Sequence, residues 1–127
     1  MDIEIKNPIK ITFELIGIDE HIPSLNFDVT IIVKKFGYSS EVHFQIWIEC
    51  HFFDEFVRCL GRDKIACLKD MNNCFALVLD LAIGKFEWSC AKDDVNGGII
   101  SSKGSEKLNS DNKEEICMAF RSFPKWW

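Results

Sequence analysis

Apolar side chains alternate with polar ones through much of this chain, and this period of two constrains the fold more than any other feature. In residues 9–16, Ile9, Ile11, Phe13 and Leu15 alternate with lysine, threonine and glutamate. Such alternation places the apolar side chains on one face and therefore predicts a half-buried β-strand. Further strands are predicted at residues 27–35, 41–48, 64–70, 74–82, 85–91 and 98–108.

Two segments have the spacing of a helix instead. In residues 51–60 the apolar side chains, from Phe52 to Leu60, recur at intervals of three or four, and Gly61 follows where a helix commonly ends. A second stripe begins after Ser110, which is a suitable N-cap, and stops at Pro124. The apolar members of this second stripe are Ile116, Phe120 and Phe123.

These elements predict an α+β fold in one domain. Because short turns separate most of the strands, the expected architecture is a single antiparallel β-meander sheet of about six to seven strands, with one short inserted helix and one C-terminal helix. The 127 residues are 47% hydrophobic and 28% charged, which is typical of a globular chain. A chain of this length buries one core, so residues 1–127 are predicted to form a single domain.

Composition and cysteine spacing exclude several classes of protein. The formal net charge is −5 and the pI is about 5.2, whereas sequence-independent nucleic-acid binding needs a basic surface. The six cysteines include no CxxC pair, and most lie in apolar runs, so they are expected to be reduced and to pack as small hydrophobes. The N-terminus lacks the pattern of a secretory signal, and no apolar stretch approaches the roughly 20 residues of a membrane span. The sequence predicts a cytoplasmic protein that does not enter a membrane.

No residue pattern reaches the level of a catalytic or metal-binding motif. His43, Glu49, Cys50 and His51 are close in sequence, but their spacing matches no zinc or nucleophile motif. Acid–base catalysis needs two carboxyl groups that converge across a cleft, whereas adjacent residues diverge on a strand or helix. We therefore expect no enzymatic activity, no cofactor and no metal.

Pairs of adjacent carboxylates suggest where a partner would bind. Asp19 with Glu20, and Asp93 with Asp94, lie in predicted loops, which carry binding groups more often than other segments. These four acids are the candidate contacts to a basic partner. Two further pairs lie early in the predicted helices, where the helix dipole favours negative charge: Asp54 with Glu55, and Glu114 with Glu115.

The large aromatic side chains supply candidate anchors. Trp47 and Tyr38 are the first candidates, because tryptophan and tyrosine are enriched at interface hot spots. For Trp126 and Trp127 two interpretations stay open. They pack the terminal helix against the rest of the fold, or they form a separate anchor for a partner.

Longer segments resemble a known family. These are Gln45-Ile46-Trp47-Ile48-Glu49, Phe52-Phe53-Asp54-Glu55-Phe56, Cys74-Phe75-Ala76-Leu77-Val78-Leu79, Phe86-Glu87-Trp88 and the ending 116–127 with Phe123-Pro124-Lys125-Trp126. Together they resemble small bacterial immunity proteins of contact-dependent inhibition and other polymorphic toxin systems. The resemblance implies an intracellular protein that binds a cognate toxin domain, often a nuclease, and blocks it. It implies no particular site residues, since such proteins share no fixed binding residues.

The predicted function is therefore that of an immunity protein that binds and neutralises a cognate bacterial toxin domain by protein–protein interaction, without itself contacting nucleic acid. An acidic domain suits this role, because charge complementarity to a basic toxin speeds association. The alternative is a small-ligand-binding or regulatory module with an apolar pocket lined by phenylalanine. A deep pocket between sheet and helices favours the alternative, and a filled core disfavours it.

Overall fold

The computed structural model describes residues 2–62 and 64–127, and within these ranges the chain forms eight strands and two helices. The strands are β1 (Asp2–Ile5), β2 (Lys10–Asp19), β3 (Ser24–Lys35), β4 (Tyr38–Glu49), β5 (Ile65–Lys69), β6 (Phe75–Asp80), β7 (Lys85–Asp93) and β8 (Ile99–Lys107). The helices are α1 (Cys50–Leu60) and α2 (Ser110–Arg121). In these ranges no helix is long and apolar enough to cross a membrane.

The strands are divided between two sheets. The first has the order β1-β2-β3-β4 and the second β5-β6-β7-β8, and every neighbouring pair is antiparallel. The α+β class and the antiparallel meander are confirmed, whereas the single sheet of six to seven strands is wrong. Helix α1 intervenes between β4 and β5, and these two strands belong to different sheets. Alternation shows which face of a strand is buried, but it carries no information on which strand lies beside it.

The element boundaries differ from the predicted ones at three places. Strand β1 was not predicted, although Ile3 and Ile5 alternate with acidic residues and are buried, because the segment is short. Residues 17–26, which lie between two predicted strands, are themselves mostly strand, since β2 runs past a register shift between Leu15 and Gly17 and β3 begins at Ser24. The N-cap of α2 is Asn109 rather than Ser110. The side-chain oxygen of Asn109 accepts the N–H of Asn112 at 2.8 Å.

Phenylalanine rings join the two sheets and the helices. The ring of Phe13 on β2 contacts Phe27 on β3, Phe75 on β6 and Phe120 on α2, with centroid distances of 5.7–5.8 Å in edge-on geometry. Edge-on pairs at this distance are favourable beyond the area that they bury. On α1, Phe53 contacts Phe120 at 6.0 Å. One connected group of rings therefore spans all four parts of the fold.

The apolar positions of the predicted strands and of the first predicted helix imply a core of six large side chains: Phe44, Ile46, Phe56, Leu77, Leu79 and Trp88. Five of the six are buried. The sixth, Phe44, is half-buried and packs against the core, with its ring 5.7 Å from that of Phe75.

Two polar contacts show how the sheets are aligned. The N–H of Met71, just beyond β5, donates to the carbonyl oxygen of Trp47 near the end of β4 at 2.8 Å. At the other end, Lys35 Nζ lies 2.6 Å from Glu106 Oε1 on β8. The turn between β2 and β3 and the turn between β7 and β8 therefore lie at the same end of the molecule. The turn between β3 and β4 lies at the opposite end.

The chain end packs on α1. Trp127 Nε1 donates to Asp54 Oδ2 at 2.8 Å, and Lys125 Nζ lies 2.6 Å from Asp54 Oδ1. The Trp127 ring also meets Phe53 edge-on at 5.8 Å. These contacts support the packing interpretation for Trp127, whereas Trp126 is 39% exposed.

The dipole explanation for the helical acid pairs is wrong. Helix α1 has no acidic residue in its first turn, and Asp111 is the acidic residue in the first turn of α2. Both pairs begin a full turn inside their helices, where the field of the helix end has weakened. In α1 the pair has other contacts, because Asp54 binds the chain end and Glu55 pairs with Arg58.

Replacing Phe56 by alanine tests the core. Phe56 is 1% exposed, and its ring lies 4.9 Å from Phe120, so Phe56→Ala is expected to lower the free energy of unfolding by about 3–5 kcal/mol. The matched control is Phe52→Ala on the same helix, where the ring is 53% exposed and the expected change is about 0.5 kcal/mol. Urea denaturation measures both. Equal losses in the two variants contradict this assignment of the buried helix face.

Gly104 tests the packing of the second sheet. It lies opposite Trp88 in the register, and a Cβ at Gly104 would lie 2.6 Å from Trp88 Nε1. Because Trp88 is buried, Gly104→Ala is expected to cost about 1–3 kcal/mol. At Gly17 a Cβ would meet Asn26 Cβ at an ordinary 3.6 Å, so Gly17→Ala leaves stability unchanged or raises it by about 0.5–1 kcal/mol. Thermal denaturation compares the two variants. A Gly104→Ala protein as stable as the wild type contradicts the close approach of Gly104 to the Trp88 ring.

Candidate partner-binding surface

The outward side of the first sheet is rich in carboxylates. The side chains on this side alternate with the buried ones along β1 to β4. Two lysines, Lys10 and Lys34, lie on the same side, toward the β3–β4 turn. We call this side the acidic face. Its carboxylates belong to Asp2, Glu4, Glu14, Asp28, Glu41 and Glu49.

Three of these carboxylates form a row across neighbouring strands. The register places Asp2 opposite Glu14, and Glu14 opposite Asp28, at the strand spacing of about 4.8 Å. Like charges directly opposite one another destabilise a sheet. Such a row works against the stability of the fold, and departures of this kind concentrate at functional sites.

His43 binds to one end of this row. Its Nε2 lies 2.6 Å from Asp28 Oδ1, and both side chains are on the acidic face. The imidazole gives Asp28 a hydrogen-bond partner from the neighbouring strand. It is also a cationic partner when protonated.

A notch adjoins the acidic face where the two sheets meet. It has a volume of about 460 Å³ and combines exposed apolar groups with polar ones. Phe52 is 53% exposed and Met71 is 43% exposed, although both side chains are large and apolar. We call this depression the apolar notch. It is lined by Glu49, Phe52, Cys67, Lys69, Asp70, Met71 and Asn73.

The backbone around the apolar notch is held by hydrogen bonds. Asp70 is buried, and its Oδ1 accepts the N–H groups of Cys74 at 2.7 Å and Phe75 at 3.0 Å. The bond from Met71 N–H to the Trp47 carbonyl attaches the same turn to β4. Met71 is thus presented from a fixed turn, next to the strand that carries Trp47 and Glu49.

Phe52 is a site residue that the sequence interpretation included only in the apolar stripe of the first helix. Adjacent residues of a helix point about 100° apart, so Phe52 and Phe53 cannot share one narrow face. The structure buries Phe53 and Phe56 and turns Phe52 outward. The sequence does contain a signal for this, because two adjacent phenylalanines in a helix predict that one of them lies away from the core.

Three of the six predicted binding residues lie on or beside the acidic face. Trp47 is half-buried on this face, opposite Asn26 on β3. Asp19 ends β2 and lies opposite Ser24, which in turn lies opposite Glu49. Its Oδ1 accepts the N–H of His21 at 2.9 Å, so Asp19 has a role in the turn that the sequence interpretation had not assigned. Glu20 is exposed in that turn.

The other predicted binding residues lie elsewhere. Asp93 and Asp94 are exposed at the β7–β8 turn of the second sheet, at the same end of the molecule as Asp19. Asp94 Oδ1 accepts the N–H of Asn96 at 3.1 Å, so this acid also stabilises its own turn. Tyr38 is exposed at the start of β4, at the opposite end of the first sheet from Trp47. The structure therefore places the six residues in three separate regions, and Tyr38 lies at the opposite end of the molecule from the other five.

The buried thiols are poor nucleophiles. Burial raises the pKa of Cys50 to about 11, and the negative charge of Asp54 adds to the effect. Burial also raises the pKa of Cys90. Both thiols are thus protonated at neutral pH, whereas catalysis requires the thiolate. Among residues 2–62 and 64–127, no three histidine, cysteine or acidic side chains converge as a metal site.

Neutralising the middle of the carboxylate row is expected to stabilise the protein. Glu14→Gln removes the charge that lies between Asp2 and Asp28, and we expect the free energy of unfolding to rise by about 0.2–1 kcal/mol at low ionic strength. The matched control is Glu87→Gln, which instead removes a partner of Lys85 and brings no gain. Urea denaturation at two salt concentrations measures both. A gain that is equal in the two variants contradicts repulsion within the row.

Comparison of the chain with protein-family models, curated proteins and solved structures finds no match.

Proposed function

We propose that this chain is an immunity protein, which binds a cognate bacterial toxin domain in the cytoplasm and neutralises it by covering a basic surface. The observation that carries the proposal is the acidic face with Trp47 at its end and the apolar notch beside it. The proposed partner surface is basic around an apolar centre. Catalysis by this chain has no part in the proposal.

The composition of the surface supports a protein partner. Interfaces commonly combine a desolvated centre, enriched in aromatic residues and methionine, with a polar rim. Trp47, Phe52 and Met71 supply such a centre, and Glu49 and Asp28 lie in the rim. Truncating a central aromatic residue commonly costs more binding energy than removing a rim charge.

The charge of the surface supports a toxin that acts on nucleic acid. Proteins that bind nucleic acid carry basic surfaces to neutralise phosphates. An acidic face attracts such a basic protein over a distance, and this attraction raises the association rate, most strongly at low salt. Rapid capture is useful against an enzyme that is lethal to the cell.

The interior gives less support to the alternative of a small-ligand module. Phe13, Phe75 and Phe120 meet edge-on at the centre of the fold, where the alternative requires a pocket. The apolar notch lies instead at the surface, between a helix and a turn. These observations favour a filled core and an external binding surface.

Co-expression tests the proposed function. The proposal expects the gene immediately upstream to encode a secreted protein that ends in a toxin domain, and this domain is the partner to express. We expect this domain to arrest growth by itself, and we expect co-expression of the full chain to restore growth and to yield a complex on gel filtration. Continued arrest with a well-expressed, folded chain contradicts the proposal.

Charge reversal tests the binding surface. With the same purified toxin domain, Glu14→Lys is expected to slow association about tenfold at low salt and to flatten its salt dependence. The matched control Glu87→Lys makes the same change of charge on the outer side of the second sheet, and association is expected to stay near the wild-type rate. Stopped-flow or surface-based kinetics measures both. Equal slowing by the two variants shows that net charge alone acts and contradicts a site on the acidic face.

Two further variants compare the remaining candidate contacts. Asp93→Lys/Asp94→Lys is expected to slow association to a smaller extent, because these acids lie at the same end of the molecule but on the other sheet. A chain that ends at Lys125 lacks both terminal tryptophans and is expected to bind at an unchanged rate once its stability has been measured. Loss of binding in that variant alone, with a folded protein, places the site at the chain end and contradicts the acidic face.

A further inference from the structure

A second groove lies at the β1 edge of the first sheet, between β1 and α2. It has a volume of about 800 Å³ and is separate from the apolar notch. Ile5 and Ile116 are buried beneath it, and Met118 on its helical wall is 61% exposed. We call it the β1–α2 groove. Its lining includes Glu4, Lys6, Asp111, Glu114, Glu115 and Met118.

One wall of the β1–α2 groove is the edge of a sheet. In the order of the first sheet β1 is terminal, and it pairs with β2 on one side. On the other side, alternate residues of an edge strand direct N–H and C=O groups away from the sheet, where an extended segment can pair with them. The neighbouring α2 lies against β1 and forms the second wall.

The charge of the walls selects the occupant. Glu4 on β1 and Glu114 and Glu115 on α2 all line the groove, against the single lysine Lys6. The pair on α2 lies beyond the first turn, so it does not stabilise the helix through the dipole. A second copy of this chain is disfavoured, because pairing two β1 edges brings Asp2 and Glu4 of both copies close together.

We propose that the β1–α2 groove binds an extended, lysine- or arginine-rich segment of a partner protein, which adds to β1 as a fifth strand of the first sheet. Backbone hydrogen bonds to β1 hold the segment, and the carboxylates on both walls select its basic side chains. Met118 offers a flexible apolar contact to the residues that lie between the basic side chains of the segment. The proposal stands on this groove alone and does not depend on the immunity function.

An NMR titration of the isotope-labelled full chain tests the proposal. The probe is a peptide of alternating lysine and valine, at low ionic strength. We expect shift changes at β1 and α2 together with slower amide exchange in β1, as a new strand pair requires. Changes confined to another edge strand, such as β8, overturn the proposal, and so does the absence of any change.

A matched peptide separates strand pairing from charge. Replacing every valine by proline keeps the charge but removes backbone donors and disfavours strand pairing. We expect this peptide to bind about tenfold more weakly and to leave amide exchange in β1 unaltered. Equal binding of the two peptides shows attraction by charge only and overturns the proposal.

A pair of charge-matched variants locates the site. Glu114→Lys/Glu115→Lys is expected to weaken binding of the lysine–valine peptide at least about tenfold. At about 0.15 M ionic strength, Asp93→Lys/Asp94→Lys changes the net charge equally at the β7–β8 turn and is expected to leave the affinity within about twofold, because charges outside the groove are screened. Equal weakening in both variants overturns the assignment to the β1–α2 groove. Circular dichroism of each variant verifies that its fold is intact.

Discussion

The structure depends on the contacts of one ring, that of Phe13. This ring meets Phe27 within its own sheet, Phe75 in the second sheet and Phe120 on α2, each at 5.7–5.8 Å. The two sheets have no shared ladder of strand pairs among the described residues, so side-chain packing supplies most of their attachment. The hydrogen bond from Met71 to Trp47 and the ion pair of Lys35 with Glu106 then set how the sheets are aligned.

This arrangement leaves the outer side of each sheet available for binding. Each sheet buries one face on the shared aromatic core and turns the other to solvent, as antiparallel sheets commonly do. The two outer sides differ in charge. The first carries six carboxylates and only two lysines. On the second, Lys69, Lys85, Lys103 and Lys107 are nearly balanced by Asp80, Glu87 and Asp93. A protein with one acidic side can present that side to a basic partner without a strongly negative net charge, and the proposed function rests on this asymmetry.

Part of the candidate surface was within reach of sequence reasoning. The polar positions of the alternating segments include Glu14 and Asp28, and any antiparallel pairing about a turn near residue 21 brings these two close together. The sequence interpretation selects the loop acids Asp19 and Asp94 instead, because loops commonly carry binding groups, yet both accept N–H groups in their own turns. Such local hydrogen bonds are the usual reason for aspartate at these positions.

The sequence by itself determined the local structure: the period of two marks the buried face of strands such as β2, and the spacing of three or four marks α1, because each period follows from backbone geometry. It also determined the acidic balance and the absence of a recognisable catalytic motif. Only the tertiary structure decided that the strands form two sheets, that Phe52 faces solvent while Phe53 is buried, and that Glu114 and Glu115 border a groove beside β1. These features depend on which elements pack together, and packing between distant segments leaves no periodic trace in the chain.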